Sequence, residues 1–115
     1  MSQTNMEIAE TFYTLMGKKD ISSLEKYVHP DIHFIAPLGE AKGKDAYLEK
    51  TKFFMDNLKT VSIRSIFGSG DQVMFAYTVD FPEPFGSVRS AALMTFDEGL
   101  VKKVELFYDA RPFVK

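Results

Sequence analysis

The hydrophobic pattern of this chain changes from a helical to a strand period after Leu58, and that change constrains the fold more than any other feature. Before Leu58, apart from one short segment at residues 31–37, apolar residues recur at the three- and four-residue spacing of amphipathic helices. After it they alternate with polar residues, as in half-buried strands. Helices followed by a run of strands predict an α+β domain, in which the helices pack on one face of an antiparallel sheet.

Three helices are predicted in the first half of the chain. The first covers residues 6–16, where Ala9, Phe12, Tyr13 and Met16 share one face, and it ends at Gly17. The second begins at Asp20, whose carboxylate can cap it, and buries Ile21, Leu24 and Val28 until Pro30 forces the chain out of helical geometry. The third aligns Tyr47, Thr51, Phe54 and Leu58.

Five strands are predicted around and after these helices. The first is residues 31–37, which Pro37 either confines to a sheet edge or ends, and residues 38–43 then form a turn. The other four are residues 61–67, 72–81, 88–96 and 100–108. The turns between them are short, so neighbouring strands should be antiparallel.

Composition excludes several classes of function. The length of 115 residues suits one domain over residues 1–115, and 45% hydrophobic residues suffice for a core. A net charge of -2 does not produce the basic field that nucleic acids require, and zero cysteines exclude disulfides, thiol nucleophiles and thiolate metal sites. Without a signal sequence or a long apolar run, we expect a cytoplasmic protein without membrane contact.

Several short segments, together with the order of the elements, carry a family resemblance. The segments are Gly17-Lys18-Lys19-Asp20, Tyr27-Val28-His29-Pro30-Asp31-Ile32, Pro37-Leu38-Gly39, Phe75-Ala76-Tyr77-Thr78-Val79-Asp80-Phe81 and Glu105-Leu106-Phe107-Tyr108-Asp109. In them the chain resembles the nuclear transport factor 2-like superfamily, and especially its SnoaL-like and ketosteroid-isomerase-like members. The resemblance covers nearly the whole sequence.

The resemblance implies a curved antiparallel sheet, wrapped as a cone around the three helices, with an apolar pocket inside. It turns ten residues toward that pocket, namely Phe12, Phe34, Ala36, Tyr77, Val79, Phe81, Met94, Phe96, Leu106 and Tyr108. With Tyr13, Met16 and Phe54 they make up a predicted pocket lining of thirteen residues. Hydroxyl groups of Tyr77 and Tyr108 would orient a flat or aliphatic ligand there. The competing interpretation is that these bulky side chains fill the cone themselves.

The residues that perform ketosteroid isomerisation in the resembled family do not occur at the matching positions. Phe12 stands in place of the oxyanion-hole tyrosine, and Tyr13 is rotated from it by roughly 100° around the helix. Ala36 replaces the proton-shuttling aspartate, and Met94 or Leu93 replaces the protonated one. The sequence therefore predicts that this mechanism does not operate.

Other candidate catalytic groups are few, and the resemblance reduces them to Tyr77, Tyr108 and Asp109. Asp109 could reach the pocket mouth if the last strand bends, or it could cap a backbone amide and pair with Arg111. His29 and His33 are four residues apart, but Pro30 prevents the helical geometry that would bring them onto one metal ion. We therefore expect no metal or redox cofactor.

Two hypotheses about function follow. The first is a binding protein for an apolar small molecule. In a catalytic version of this hypothesis, the protein also has an isomerase, cyclase or hydro-lyase activity toward that molecule. The second is a non-catalytic module that associates as a homodimer through the outer sheet face, where Met74, Ala76, Ala91, Leu93 and Phe107 are apolar. A cone completely filled by Phe12, Phe54, Phe81 and Tyr108 would contradict the first hypothesis.

Overall fold

Three helices precede most of the sheet in the computed structural model, which describes residues 4–113. Helix α1 is Asn5–Gly17, α2 is Ile21–Leu24 and α3 is Lys44–Asn57. Thr4 caps α1: its side-chain oxygen accepts from the backbone N–H of Glu7 at 3.1 Å, and its own N–H donates to the Glu7 carboxylate at 2.9 Å. Asp20 caps α2 by accepting from the Ser23 backbone N–H at 3.1 Å, as the sequence predicts.

Six strands form one curved, unclosed sheet. They are β1 (Val28–Ala36), β2 (Gly39–Lys42), β3 (Thr60–Ser69), β4 (Gln72–Asp80), β5 (Ser87–Asp97) and β6 (Leu100–Tyr108), and their order across the sheet is β2-β1-β6-β5-β4-β3. The consecutive pairs β3–β4, β4–β5 and β5–β6 are antiparallel, as their short turns predict. The α+β class predicted from the sequence is confirmed.

The structure corrects the sequence-based expectation for the first strand. Strand β1 begins at Val28, which was predicted in the second helix, because that helix ends at Leu24 and a 3₁₀ turn (Glu25–Tyr27) follows. Residues 38–43 are not simply a turn, since they contain β2, whose four residues are too short to show a period. β1 is therefore an interior strand, and Pro37 follows its end.

One strand pair also departs from the expected antiparallel sheet. β1 runs parallel to β6, with Phe34 opposite Val104 and Ile35 opposite Glu105. A parallel pair needs a long connection between its strands, and here that connection consists of β2, α3, β3, β4 and β5. Strand β1 from the first half of the chain and the last strand thus lie side by side in the interior of the sheet.

The core lies between the helices and the inner face of the sheet. Strands β4 and β5 bury alternate residues on that face, so their side chains meet the buried face of α1. The Tyr13 ring of α1 stands edge-on to Phe75 of β4, with ring centroids 4.5 Å apart. Helix α3 packs against β1 through Tyr47, whose ring lies 5.5 Å from that of Phe34. The two helices leave space between them at one end of this face.

Candidate functional site

A cavity of about 1110 Å³ opens between α3, the inner face of the sheet and the C-terminal residues. Its lining divides by exposure into three zones. The inner wall is buried and consists of Tyr13, Met16, Tyr47, Thr51, Tyr77, Val79, Val88 and Ser90. The collar is half-buried and consists of Phe34, Ala36, Gly39, Phe54, Phe81, Leu106, Tyr108 and Phe113. The rim is exposed and consists of Leu38, Ala46, Glu49, Lys50, Phe53, Asn57, Pro82, Glu83 and Phe85.

Ten of the thirteen residues predicted for the pocket lie in this lining. They are Tyr13, Met16, Phe34, Ala36, Phe54, Tyr77, Val79, Phe81, Leu106 and Tyr108. Phe12, Met94 and Phe96 are buried but lie in the core outside the cavity. Phe12 packs between the rings of Tyr13 and Tyr47, at centroid distances of 5.8 and 6.4 Å. Helix α1 therefore presents Tyr13 and Met16 to the cavity, and not Phe12.

Three hydroxyl groups meet on the inner wall. The Tyr77 hydroxyl is hydrogen-bonded to those of Tyr13 and Ser90, and Ser90 lies directly opposite Tyr77 in the β4–β5 register. Burial raises the pKa of both tyrosines. The neighbouring Tyr77 raises the pKa of Tyr13 further, and the bonds to Tyr13 and Ser90 lower the pKa of Tyr77 without offsetting its burial. Both phenols therefore stay protonated at neutral pH.

A second hydroxyl pair belongs to α3. Tyr47 is hydrogen-bonded to Thr51 one helical turn later, and burial raises the Tyr47 pKa. Among residues 4–113, every buried side-chain nitrogen or oxygen has a hydrogen-bond partner. The sequence-based pocket set omitted Tyr47, Thr51 and Ser90. The helical spacing had already placed Tyr47 and Thr51 on the buried face of α3, and alternation along β5 was the signal for Ser90.

An aromatic cluster closes part of the cavity at the collar. The Phe113 ring stacks on Phe85 at 5.0 Å and 20°, and it stands edge-on to Phe81 at 5.5 Å and to Tyr108 at 5.9 Å. Phe81 in turn contacts Phe54 of α3 at 5.8 Å. These rings come from α3, the β4–β5 loop, the end of β6 and the C-terminal 3₁₀ turn (Arg111–Phe113). The collar thus joins elements that are distant in sequence.

Asp109 holds the C-terminal turn and does not line the cavity. Its carboxylate accepts from the Arg111 backbone N–H at 3.0 Å, from Nε at 3.0 Å and from Nη2 at 2.6 Å. These bonds lower the Asp109 pKa to about 2. Asp109 therefore caps a backbone amide and pairs with Arg111, which is the second of the two roles that the sequence left open.

Both histidines pair with carboxylates on separate parts of the surface. His29 Nε2 lies 3.2 Å from Asp97 Oδ2, and His29 Nδ1 accepts from the Asp31 backbone N–H at 2.9 Å. His33 pairs with Glu40 across β1 and β2. The described part of the chain contains no group of three histidine or carboxylate side chains placed to hold a metal ion. Nor does any of its helices have the length and hydrophobicity needed to span a membrane.

The fold of three helices on a curved sheet, enclosing this cavity, is that of the nuclear transport factor 2-like superfamily. Residues 9–104 match the model of the SnoaL-like domain family, and the chain belongs to that family. No curated protein sequence matches the chain significantly.

Solved structures share the fold at low sequence identity. A nuclear transport factor 2-like protein of unknown function from Cytophaga hutchinsonii is 16% identical, with a TM-score of 0.87 over 100% of this chain and 98% of its own. A protein from Jannaschia sp. CCS1, given the provisional name SnoaL-like polyketide cyclase, is 14% identical, with a TM-score of 0.82 and coverage of 98% and 94%. TerC, co-crystallised with polyporic acid, is 20% identical, with a TM-score of 0.80 and coverage of 95% and 94%. At these identities the likeness shows the fold alone.

Proposed function

We propose that the protein binds an apolar small molecule in the cavity. The observation that carries this proposal is an open space of about 1110 Å³, lined by aromatic and aliphatic side chains around a few hydroxyl groups. Its size and lining are those of small-molecule sites. Of the four residues whose rings could have filled the cone, Phe54, Phe81 and Tyr108 surround the space and Phe12 lies outside it. The co-crystallised ligand of TerC supports small-molecule binding in this fold.

Binding is the primary role that this site supports. The catalytic form of the proposal, an isomerase, cyclase or hydro-lyase reaction, would use Tyr77 as a hydrogen-bond donor to a substrate oxygen. Tyr108 has a pKa raised by burial and would likewise act as a donor and not as a base at neutral pH. Asp109 would take no direct part, because its carboxylate is engaged by Arg111. Steady consumption of a bound compound by the wild type, lost in Tyr77→Phe, would support catalysis.

A pair of variants on β1 tests ligand binding. Ala36 lines the cavity, whereas Ile35, the residue before it, points to the other sheet face. We expect steroids, polyketides or fatty acids that raise the Tm of the wild type to raise that of Ile35→Phe equally, since a ligand stabilises the state it binds. Ala36→Phe should lose the shift. Equal shifts in both variants, or no hit for the wild type, would contradict binding in this cavity.

The second candidate function, association of two copies, rests on the outer sheet face. The five predicted patch residues lie together there, because Met74 pairs with Leu93 and Ala76 with Ala91, which pairs with Phe107. Phe67 opposite Met74 extends the patch to β3. We name this set, namely Phe67, Met74, Ala76, Ala91, Leu93 and Phe107, the outer patch.

Exposure and charge favour a second copy of the chain as the partner at this patch. Phe67 is 70% exposed, Phe107 48% and Met74 40%, which is unusual for neighbouring apolar residues on a monomer. Both signs of charge border the patch, since Lys103 Nζ lies 3.3 Å from Glu105 Oε1. A border of both signs can face its own copy across a two-fold axis, with each lysine near the partner's carboxylate. We therefore propose a homodimer through the outer patch.

A further inference from the structure

The charged residues of the cavity are separated from its inner wall. Glu49, Lys50 and Glu83 all lie on the exposed rim. The polar side chains of the inner wall, as far as the structure describes it, all carry hydroxyl groups. A carboxylate or ammonium group brought to this wall would lose its hydration without meeting an opposite charge. That loss costs several times more than burial of a hydrogen-bonded neutral group.

The hydroxyl cluster around Tyr77 has one hydrogen to spare. Tyr13, Tyr77 and Ser90 each carry a single hydroxyl hydrogen, and all three residues line the cavity. The two hydrogen bonds that join Tyr77 to Tyr13 and Ser90 use two of these three hydrogens. The third is left for an acceptor inside the cavity, such as a carbonyl oxygen.

The exposed rim of the cavity carries apolar surface. Its residues Leu38, Phe53 and Phe85 line the opening, and they are 53%, 73% and 41% exposed. They come from the β1–β2 turn, α3 and the β4–β5 loop, so the apolar lining continues outward on several sides of the opening. A ligand that ended inside the collar would leave all three in water. A ligand with an apolar body reaching past the collar would cover them.

We infer that the ligand is an elongated, uncharged molecule that places a carbonyl-type acceptor against Tyr77 and extends an apolar chain over Leu38, Phe53 and Phe85. This inference rests on the proposed ligand-binding function and specifies the chemical class and orientation of the ligand. Straight-chain ketones, esters and amides belong to the class. Fatty carboxylates and alkylamines of equal length do not.

Competition with the neutral dye Nile red tests the head group on the wild-type protein. The probes are a straight-chain methyl ketone, a carboxylate and a primary amine, each of eleven carbons, at neutral pH. We expect the ketone to displace the dye at a concentration at least about tenfold lower than the two charged probes. A carboxylate or amine that competes as well as the ketone would overturn the inference.

Chain length and two matched variants test the extended body. Phe53 and Phe67 are almost equally exposed, at 73% and 70%, but Phe67 lies on the outer patch and not at the cavity. In methyl ketones of eight to twelve carbons, we expect affinity to rise by up to about fourfold per added CH₂. The rise should stop at a shorter chain in Phe53→Ser than in the wild type or Phe67→Ser. An identical length dependence in all three proteins would overturn the outward orientation.

The outcomes separate this inference from the proposal on which it rests. If no probe of any charge displaces Nile red, and the dye itself binds equally to Ala36→Phe, the proposed ligand-binding function fails. If charged probes bind in the cavity as tightly as the ketone, ligand binding stands and the inference about the ligand class fails. Tyr77→Phe supplies a further readout, because it should weaken the ketone but not a hydrocarbon of equal length.

Discussion

The rings of Phe85 and Phe113 stack at 5.0 Å with an angle of 20° between their planes, although one belongs to the β4–β5 loop and the other to the C-terminal 3₁₀ turn. Both residues line the cavity. Their contact therefore closes one side of the opening with residues that lie outside the α-helices and the strands. Segments of this kind open more readily than the sheet does.

Loss of the Phe113 ring should accelerate ligand exchange. Phe113→Ala removes contacts with Phe81, Phe85 and Tyr108, and one aromatic pair contributes about 1 kcal/mol. We expect Nile red to dissociate about fivefold faster, as measured by stopped-flow dilution. Phe107→Ala, on the outer patch, is the control and should leave the rate unchanged. A rate that is equal in the two variants would show that Phe113 does not restrict the opening.

The pH dependence of stability should reveal the contact between Asp109 and Arg111. The Asp109 pKa is about 2 in the folded chain, whereas the usual value for an aspartate is 3.8. The unfolded chain, which has the usual value, therefore binds the proton more readily. Its contribution is therefore present above about pH 3.8 and lost as pH falls toward 2. Urea unfolding should show Asp109→Asn less stable than wild type near neutral pH. The two proteins should converge at about pH 2. A constant difference across this window would contradict the assignment.

The sequence predicted the elements that span several repeats of their hydrophobic period and missed the short strand β2. Helix α1 and strands β3 to β6 show at least two full repeats of their hydrophobic period, so the pattern distinguishes helix from strand there. Strand β2 has four residues, and only Ala41 among them is buried. Its pairing with β1 depends on hydrogen bonds between backbones, which a side-chain pattern does not record. The parallel β1–β6 pair is likewise a long-range contact without a local signal.

The local sequence pattern also predicted only part of the cavity lining. Alternation on β4 brought Tyr77 and Val79 into the lining, and β5 continues this layer with Val88 and Ser90. Met94 lies on that same inner face but farther along β5, where the helices cover the sheet. The sheet face on which a side chain lies follows from the alternation of residues along the strand. Its distance from the cavity depends on how the helices cross the sheet. That crossing is a tertiary property.

Removal of the Tyr77 hydroxyl should destabilise the protein, whereas removal of the Tyr108 hydroxyl should not. Tyr77 is 3% exposed and is hydrogen-bonded to Tyr13 and Ser90, both of which would lose this hydrogen-bond partner in Tyr77→Phe. An orphaned buried hydroxyl costs about 2 kcal/mol. Tyr108 is half-buried at the collar, so its hydroxyl can exchange with water. Urea unfolding should show a loss of about 2 kcal/mol for Tyr77→Phe and under about 0.5 kcal/mol for Tyr108→Phe. Equal losses would show that the buried hydroxyl cluster does not contribute.

Substitution of Leu93 by arginine should separate the proposed dimer. Leu93 lies at the centre of the outer patch, between Met74 of β4 and Glu105 of β6. In a two-fold interface, Leu93→Arg would bury a charge without a partner for it on the facing copy, which is strongly unfavourable. Its side chain points away from the cavity, so circular dichroism and Nile red binding should be retained.

Sedimentation equilibrium measures the outcome. The wild type should sediment at about twice the 13.1 kDa chain mass at micromolar concentration, and Leu93→Arg at the chain mass itself. Ser22→Arg is the matched control, because it adds the same charge at an exposed position on α2, away from the sheet. It should remain dimeric. A wild-type species of 13.1 kDa would refute association through the outer patch, whatever the variants do. A dimer that persists in Leu93→Arg would place the interface on another surface.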